Sequence, residues 1–188
     1  TPNDQLKNAA KKGDLDSAQK AVSEGADVRH MFDGRCAWQI ALQSRESALQ
    51  KRESVVNDWN RRSELQREAN NCERVADYCV TVATTKLKEA IAEGKEGRVA
   101  AYHAVGGRLE GLVLLAATST PSVGIVHHLV NNCVDNYRAL WNSFGSNKDQ
   151  SPYAQAKAKK HDATAAYIQQ QLTVEVSKAV ADNNLSHV

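Results

Sequence analysis

The sequence predicts an all-α chain, and three observations carry that prediction. No glycine or proline occurs between Gly34 and Gly94, and these are the two residues that most often break helices. Within that stretch apolar residues recur at Leu49, Val55, Val56, Trp59, Leu65, Ala69, Cys72, Val75, Ala76, Cys79 and Val82. Their spacings are mostly three, four and seven, which is helical rather than strand-like. Outside it, short apolar-periodic segments are separated by two or three turn residues, as in helical hairpins. At 188 residues the chain fits one ordinary domain.

The first element holds Leu6, Ala9 and Ala10 on one helical face and breaks at Lys11-Lys12-Gly13-Asp14. Gly13 suits the left-handed conformation that ends a helix, and Asp14 suits the cap of the next. A second helix over residues 15–24 turns Ala18, Ala21 and Val22 inward and stops at Gly25. Residues 37–69 and 72–93 then read as the two arms of a long helical hairpin, with Asn70-Asn71 as its reversal. Residues 45–77 carry seven acidic and seven basic side chains. Pairs such as Asp58 with Arg61 and Arg62 lie at helical spacing and each contribute a few tenths of a kcal/mol, about the usual i,i+3 or i,i+4 increment.

Further on, residues 114–118 and 122–131 predict two short helices, the second with Val123, Ile125, Val126, Leu129 and Val130 inward. Residues 138–144 predict a short extra helix, followed by a polar loop over 145–150. A last pair begins at Ser151-Pro152 and runs through Ala165, Ala166, Tyr167, Ile168 and Leu172. Residues 173–184 read as a further capping helix through Val174, Val176, Ala179 and Val180.

Two stretches carry a family resemblance. Ala9-Ala10-Lys11-Lys12-Gly13-Asp14-Leu15-Asp16 followed by Val22-Ser23-Glu24-Gly25-Ala26-Asp27-Val28 resembles an ankyrin repeat. Asp33-Gly34-Arg35-Cys36-Ala37-Trp38-Gln39-Ile40-Ala41-Leu42 sits where that family has Asp-Gly-x-Thr-Pro-Leu-His-x-Ala-Ala, with Cys36-Ala37-Trp38-Gln39 replacing Thr-Pro-Leu-His. Leu114-Leu115-Ala116-Ala117-Thr118 and Ser151-Pro152-Tyr153-Ala154 resemble further first helices, and His161 replaces the usual Gly-His turn. The likeness covers about half the chain, in three or four repeats.

It implies a single ankyrin-like helical repeat solenoid with an inserted long helical hairpin. Residues 4–42 would form the first repeat and the start of the second, and 43–108 the insertion. Residues 109–136 would form a degenerate repeat, 137–150 a short insertion, and 151–188 the last repeat and capping tail. Stacked repeats of this kind need polar outer faces at their ends, a role that fits Lys7, Lys11 and Lys12.

Composition removes several functions. With 24 Lys+Arg against 22 Asp+Glu, the net charge of +2 gives no strong footprint for nucleic acid or an anionic membrane. Aromatics at 5% supply no stacking platform for single strands. The longest apolar run, residues 112–117, is far short of the roughly 18 residues a membrane span needs. None of Cys36, Cys72, Cys79 and Cys133 makes a C-x-x-C pair. Cys72 and Cys79 lie two turns apart, separated by about 10 Å of helix rise, too far to bond within one straight helix. Reduced thiols in a reducing compartment such as the cytoplasm are therefore expected over a disulfide framework.

No motif points to catalysis or to a cofactor. His127-His128 face different sides of a helix, and Gly106-Gly107-Arg108-Leu109-Glu110-Gly111 lacks the Lys-Ser/Thr of a phosphate loop. Neither a metal nor any other cofactor is expected. The expected function is non-catalytic binding of another protein through the concave face, hairpin tips and insertion. The departures from the repeat pattern resemble those of ankyrin-containing effectors that intracellular bacteria deliver into host cells, which would place the chain in host cytoplasm. An alternative is an enzyme or enzyme-regulatory fragment that docks substrate on the repeats, with His103 or Cys79 in a cleft beside the insertion. A homodimer through the insertion is a third reading.

The partner-binding candidates follow from these expectations. Arg29, His30, Met31, Phe32 and Arg35 surround the Asp33-Gly34 tip, where the two apolar residues either meet a partner or fold back onto the insertion. Trp59 and Trp141 are either internal anchors or exposed ones, the kind that become interface hot spots. By the family likeness, Gln39, Gln43, Gln155 and Lys157 would face the concave side.

Overall fold

Thr1 starts the fold by capping α1 (Pro2–Lys12): its hydroxyl accepts the Asp4 amide at 3.2 Å and donates to the Asp4 carboxylate at 2.6 Å. The computed structural model describes residues 1–141 and 150–181. Ten helices and no named strand occur among the described residues, so the chain is all-α there. No helix among them is long and apolar enough to cross a membrane. The chain divides into two compact units: Thr1–Lys86 with Ala101–Arg108, and Leu87–Ala100 with the chain from Leu109 onward.

In the first unit α1 buries Leu6, Ala9 and Ala10 and ends at Gly13, left-handed at φ 68°. Asp14 then caps α2 (Leu15–Ser23), its carboxylate accepting the Ser17 amide at 3.0 Å. Backbone amides donate five residues back at this turn, Asp14 to Ala9 at 3.0 Å, and again after α2, Ala26 to Ala21 at 2.9 Å. That bond closes a helix end around one left-handed residue. Gly13 also has a steric role: a Cβ there would lie 2.8 Å from the Cys72 backbone nitrogen.

The long helices differ from the predicted hairpin. The break falls at residues 55–58, between α3 (Ala37–Ser54) and α4 (Trp59–Ala92), and α4 runs unbroken through Asn70-Asn71. Ser54 turns its hydroxyl back to the Lys51 carbonyl at 2.7 Å, and Val55 leaves the helix at ψ 104°. Asp58 then caps the new helix by accepting the Arg61 amide at 2.9 Å. Asp58 is thus a cap rather than the ion partner of Arg61, whose guanidinium reaches Glu64 at 3.0 Å. Helix α4 stays intact because Leu65, Ala69, Cys72, Ala76, Cys79 and Ala83 form one buried seam at alternating steps of four and three. Asn70 and Asn71 point to solvent, where their weak helix propensity costs about 0.7 kcal/mol each or less.

The second unit contains the last part of α4, the start of α5 (Glu96–Ala104), then α6 (Val113–Ser119), α7 (Val123–Asn132), α8 (Val134–Trp141), α9 (Pro152–Ala158) and α10 (Asp162–Ala181). Ser122 caps α7 and Ser151 caps α9 through bonds of 3.3 and 3.1 Å. The predicted inward set Ile125, Val126, Leu129 and Val130 is buried. Helix α6 packs on α7 and α9, and α7 on α10. Buried Asn136 ties the unit together: it donates to the Leu109 and Leu129 carbonyls at 2.7 and 3.3 Å and accepts the Val113 amide at 3.4 Å.

Two boundaries shift from their predicted places. The extra helix begins at Val134 rather than residue 138, and residues 142–149, covering the rest of that helix and most of the polar loop, lie outside the described residues. The segment read as a separate capping helix is the continuation of α10 to Ala181; residues 182–184 lie outside the described residues.

Candidate protein-binding groove

Asp33 and Gly34, at φ 53° and 80°, make the two-residue turn of a minimal hairpin. Both central residues have positive φ, as a type I′ turn requires. Phe32 and Arg35 close it with mutual backbone bonds of 2.8 and 3.1 Å. Successive residues in such an extended segment face opposite sides. Met31 is accordingly 51% exposed and Phe32 only 7%. Of the two alternatives left open for this pair, Met31 therefore stands exposed at the tip and Phe32 turns back onto the protein. The Phe32 ring sits 4.6 Å from the exposed His30 ring, edge to face, with the Lys7 ammonium 5.3 Å above it.

The hairpin overhangs a groove of about 340 Å³ in the first unit. Helix α1 contributes Lys7 and Lys11, one turn apart, and α3 contributes Ile40, Gln43, Ser44, Ser47 and Lys51, a single stripe. Phe32, Asp33 and Arg35 line it from the hairpin and Glu68 from α4. Four cations thus face two carboxylates. One of those, Asp33, is bridged to Lys7 at 3.6 Å. Lys7, Lys11, Ser44, Ser47 and Lys51 were not among the sequence candidates. Lys7 and Lys11 (i,i+4) and Ser44 and Lys51 (i,i+7) lie at helical spacing in the sequence, but Lys7 and Lys11 fit a polar outer end there and the other three carried no expectation.

The remaining candidates divide by what their side chains already hold. Arg29 is committed to Asp27: Nη2 to Oδ2 is 2.8 Å, Nε to Oδ1 is 3.1 Å, and the guanidinium lies 4.8 Å over the Tyr102 ring. The Arg29 side-chain hydrogen bond holds the Asp27 carboxyl below its ordinary range, and the same bond raises Arg29. Gln39 caps α3, its carbonyl oxygen accepting the Cys36 amide at 3.0 Å and facing the Cys36 thiol at 3.4 Å. Arg35 donates to the exposed Gln43 side chain across the groove. Trp59 is 77% exposed at the start of α4, so it is not an internal core of the long helices. Gln155 and Lys157 belong to the second unit, Lys157 paired with Asp162 at 3.5 Å. The Trp141 side chain lies outside the described residues.

The groove is not lined by His103 or Cys79. Cys36, Cys72 and Cys79 are buried free thiols, and Cys133 is a free, half-buried one. Burial pushes Cys36 and Cys72 up and Cys79 to about 12, which disfavours the nucleophilic thiolate. Among the described residues no three His, Cys, Asp or Glu side chains are grouped to hold a metal ion. No family model matches the chain, and a search of curated proteins returned no match.

Proposed function

We propose that this chain is a non-catalytic, ankyrin-like module that binds a segment of a partner protein in the groove beneath the Phe32–Arg35 hairpin. The groove itself carries the reading: apolar Phe32 and Ile40, four cations, and the α3 serines Ser44 and Ser47, the latter exposed. Such a surface offers anchoring area, charge and adaptable hydrogen bonds without any activated nucleophile. Further support comes from recurring local geometry. Asp14 donates to Ala9 and His161 donates to Ala156 at 2.8 Å, so α1–α2 and α9–α10 are joined by the same turn, with left-handed Lys160 in the place of Gly13. Within the second unit α6 packs on α9 and α7 on α10, first helix on first and second on second, as stacked repeats require. A reducing compartment such as the cytoplasm goes with this reading, since it suits three buried cysteines placed as separate free thiols.

Selection of displayed random peptides on the full chain tests this reading. Binders are expected to compete for one site and to lose about tenfold or more in affinity on Ser47→Trp, which places a bulky side chain at an exposed position of the groove lining, with the melting temperature unchanged. A selection that yields no binder sensitive to Ser47→Trp contradicts it.

A further inference from the structure

The corner between α3 and α4 carries a second recess, separate from the groove, of about 330 Å³ and lined by Arg52, Trp59, Arg62, Ser63 and Gln66. It holds two guanidinium groups and no carboxylate. The neighbouring acid Glu64 is engaged by Arg61 at 3.0 Å, and Asp58 is engaged as the α4 cap at 2.9 Å. Neither Arg52 nor Arg62 has a side-chain hydrogen bond or ion pair among the described residues. Trp59 is 77% exposed, and Val56, three positions before it, is 78% exposed. An exposed indole beside two unengaged guanidiniums combines the residue types that dominate interface hot spots, and it lies on an ordered corner fixed by two caps.

We propose that this recess docks an acidic segment of a partner protein, its carboxylates on Arg52 and Arg62 and an apolar side chain against Trp59. Guanidinium–carboxylate pairs give directional, charge-assisted bonds, and the concave, acid-free lining supplies charge complementarity. An anionic membrane is the poorer occupant. Residues 51–64 hold four basic and three acidic side chains, a net of +1, not the uninterrupted basic cluster that an anionic leaflet attracts. The site is independent of the groove and does not depend on the repeat reading.

A fluorescein-labelled peptide of repeated Glu-Glu-Leu, titrated into the full chain and followed by anisotropy, tests the assignment. The indole N–H resonance of Trp59, identified by its loss in Trp59→Phe, reports location. The expected result is saturable binding that moves that resonance, weakens with added salt, and falls about tenfold or more in Trp59→Ser and in Arg52→Gln/Arg62→Gln. The variants should retain the wild-type melting temperature, since Trp59 and Arg62 are exposed and half-buried Arg52 holds no side-chain partner among the described residues. Several results would overturn the proposal: no binding of the peptide, binding that both variants retain, or an equal response to a Lys-Lys-Leu peptide. Two others would do so by naming a different occupant. One is binding to phosphatidylserine vesicles but not to the peptide. The other is a concentration-dependent rise in sedimentation coefficient, in the chain alone, that Trp59→Ser removes.

Discussion

Gly13 and Lys160 occupy equivalent left-handed positions, and they show how one backbone requirement is met well and met poorly. At Gly13 a side chain would meet both positive φ and the backbone of α4. Gly13→Ala should lower stability by about 2–4 kcal/mol, combining the left-handed penalty with overpacking. Lys160 bears only the first cost. Lys160→Gly should raise stability by about 1 kcal/mol, and urea unfolding checks both. Titration offers a further test at this scale. Asp27 has a folded pKa below its ordinary value. Its contribution is therefore present above about pH 4 and lost as the pH falls through the lowered value. Asp27→Asn should flatten the acid limb of a stability–pH curve; an unchanged limb would remove Asp27 from the account. The cysteines give a third. Native protein at pH 8 should react rapidly with a thiol reagent at Cys133 alone, and at all four cysteines once unfolded, because burial protects the other three.

The elements were unequally legible, for physical reasons. Helices α1, α2, α7 and α9 could be placed because caps and periodicity agreed: Asp14, Ser122 and Ser151 each precede an apolar-periodic run. The α3–α4 corner was misplaced because two signals competed. Asn70-Asn71 has poor intrinsic propensity, but the buried seam on either side decides the outcome. At residues 54–58 β-branched valines and Ser, Asn and Asp together favour leaving the helix. Asn70→Ala/Asn71→Ala should therefore stabilise the protein by about 1 kcal/mol, as a helix interior predicts; destabilisation would indicate a reversal there. The sequence left Met31 and Phe32 with one shared pair of alternatives, whereas a hairpin edge sends neighbours to opposite faces and divides them. The groove was not legible at all. Its lining combines stripes of α1 and α3 with a hairpin and one α4 residue, a juxtaposition that only the packing creates.

At the scale of the whole molecule, the near-neutral sum of charges conceals local asymmetry. Two surface recesses of the first unit carry an excess of cations while the chain totals +2. Net charge therefore excludes a nucleic-acid footprint more readily than it excludes an acidic protein partner. The groove is the central claim, and reversing its rim tests it most directly. A peptide selected on the wild-type chain should bind Lys11→Glu/Lys51→Glu at least about tenfold more weakly, with most of the loss removed at high salt, while the melting temperature stays within a few degrees. Equal affinity of the two proteins for that peptide at low salt would contradict the account.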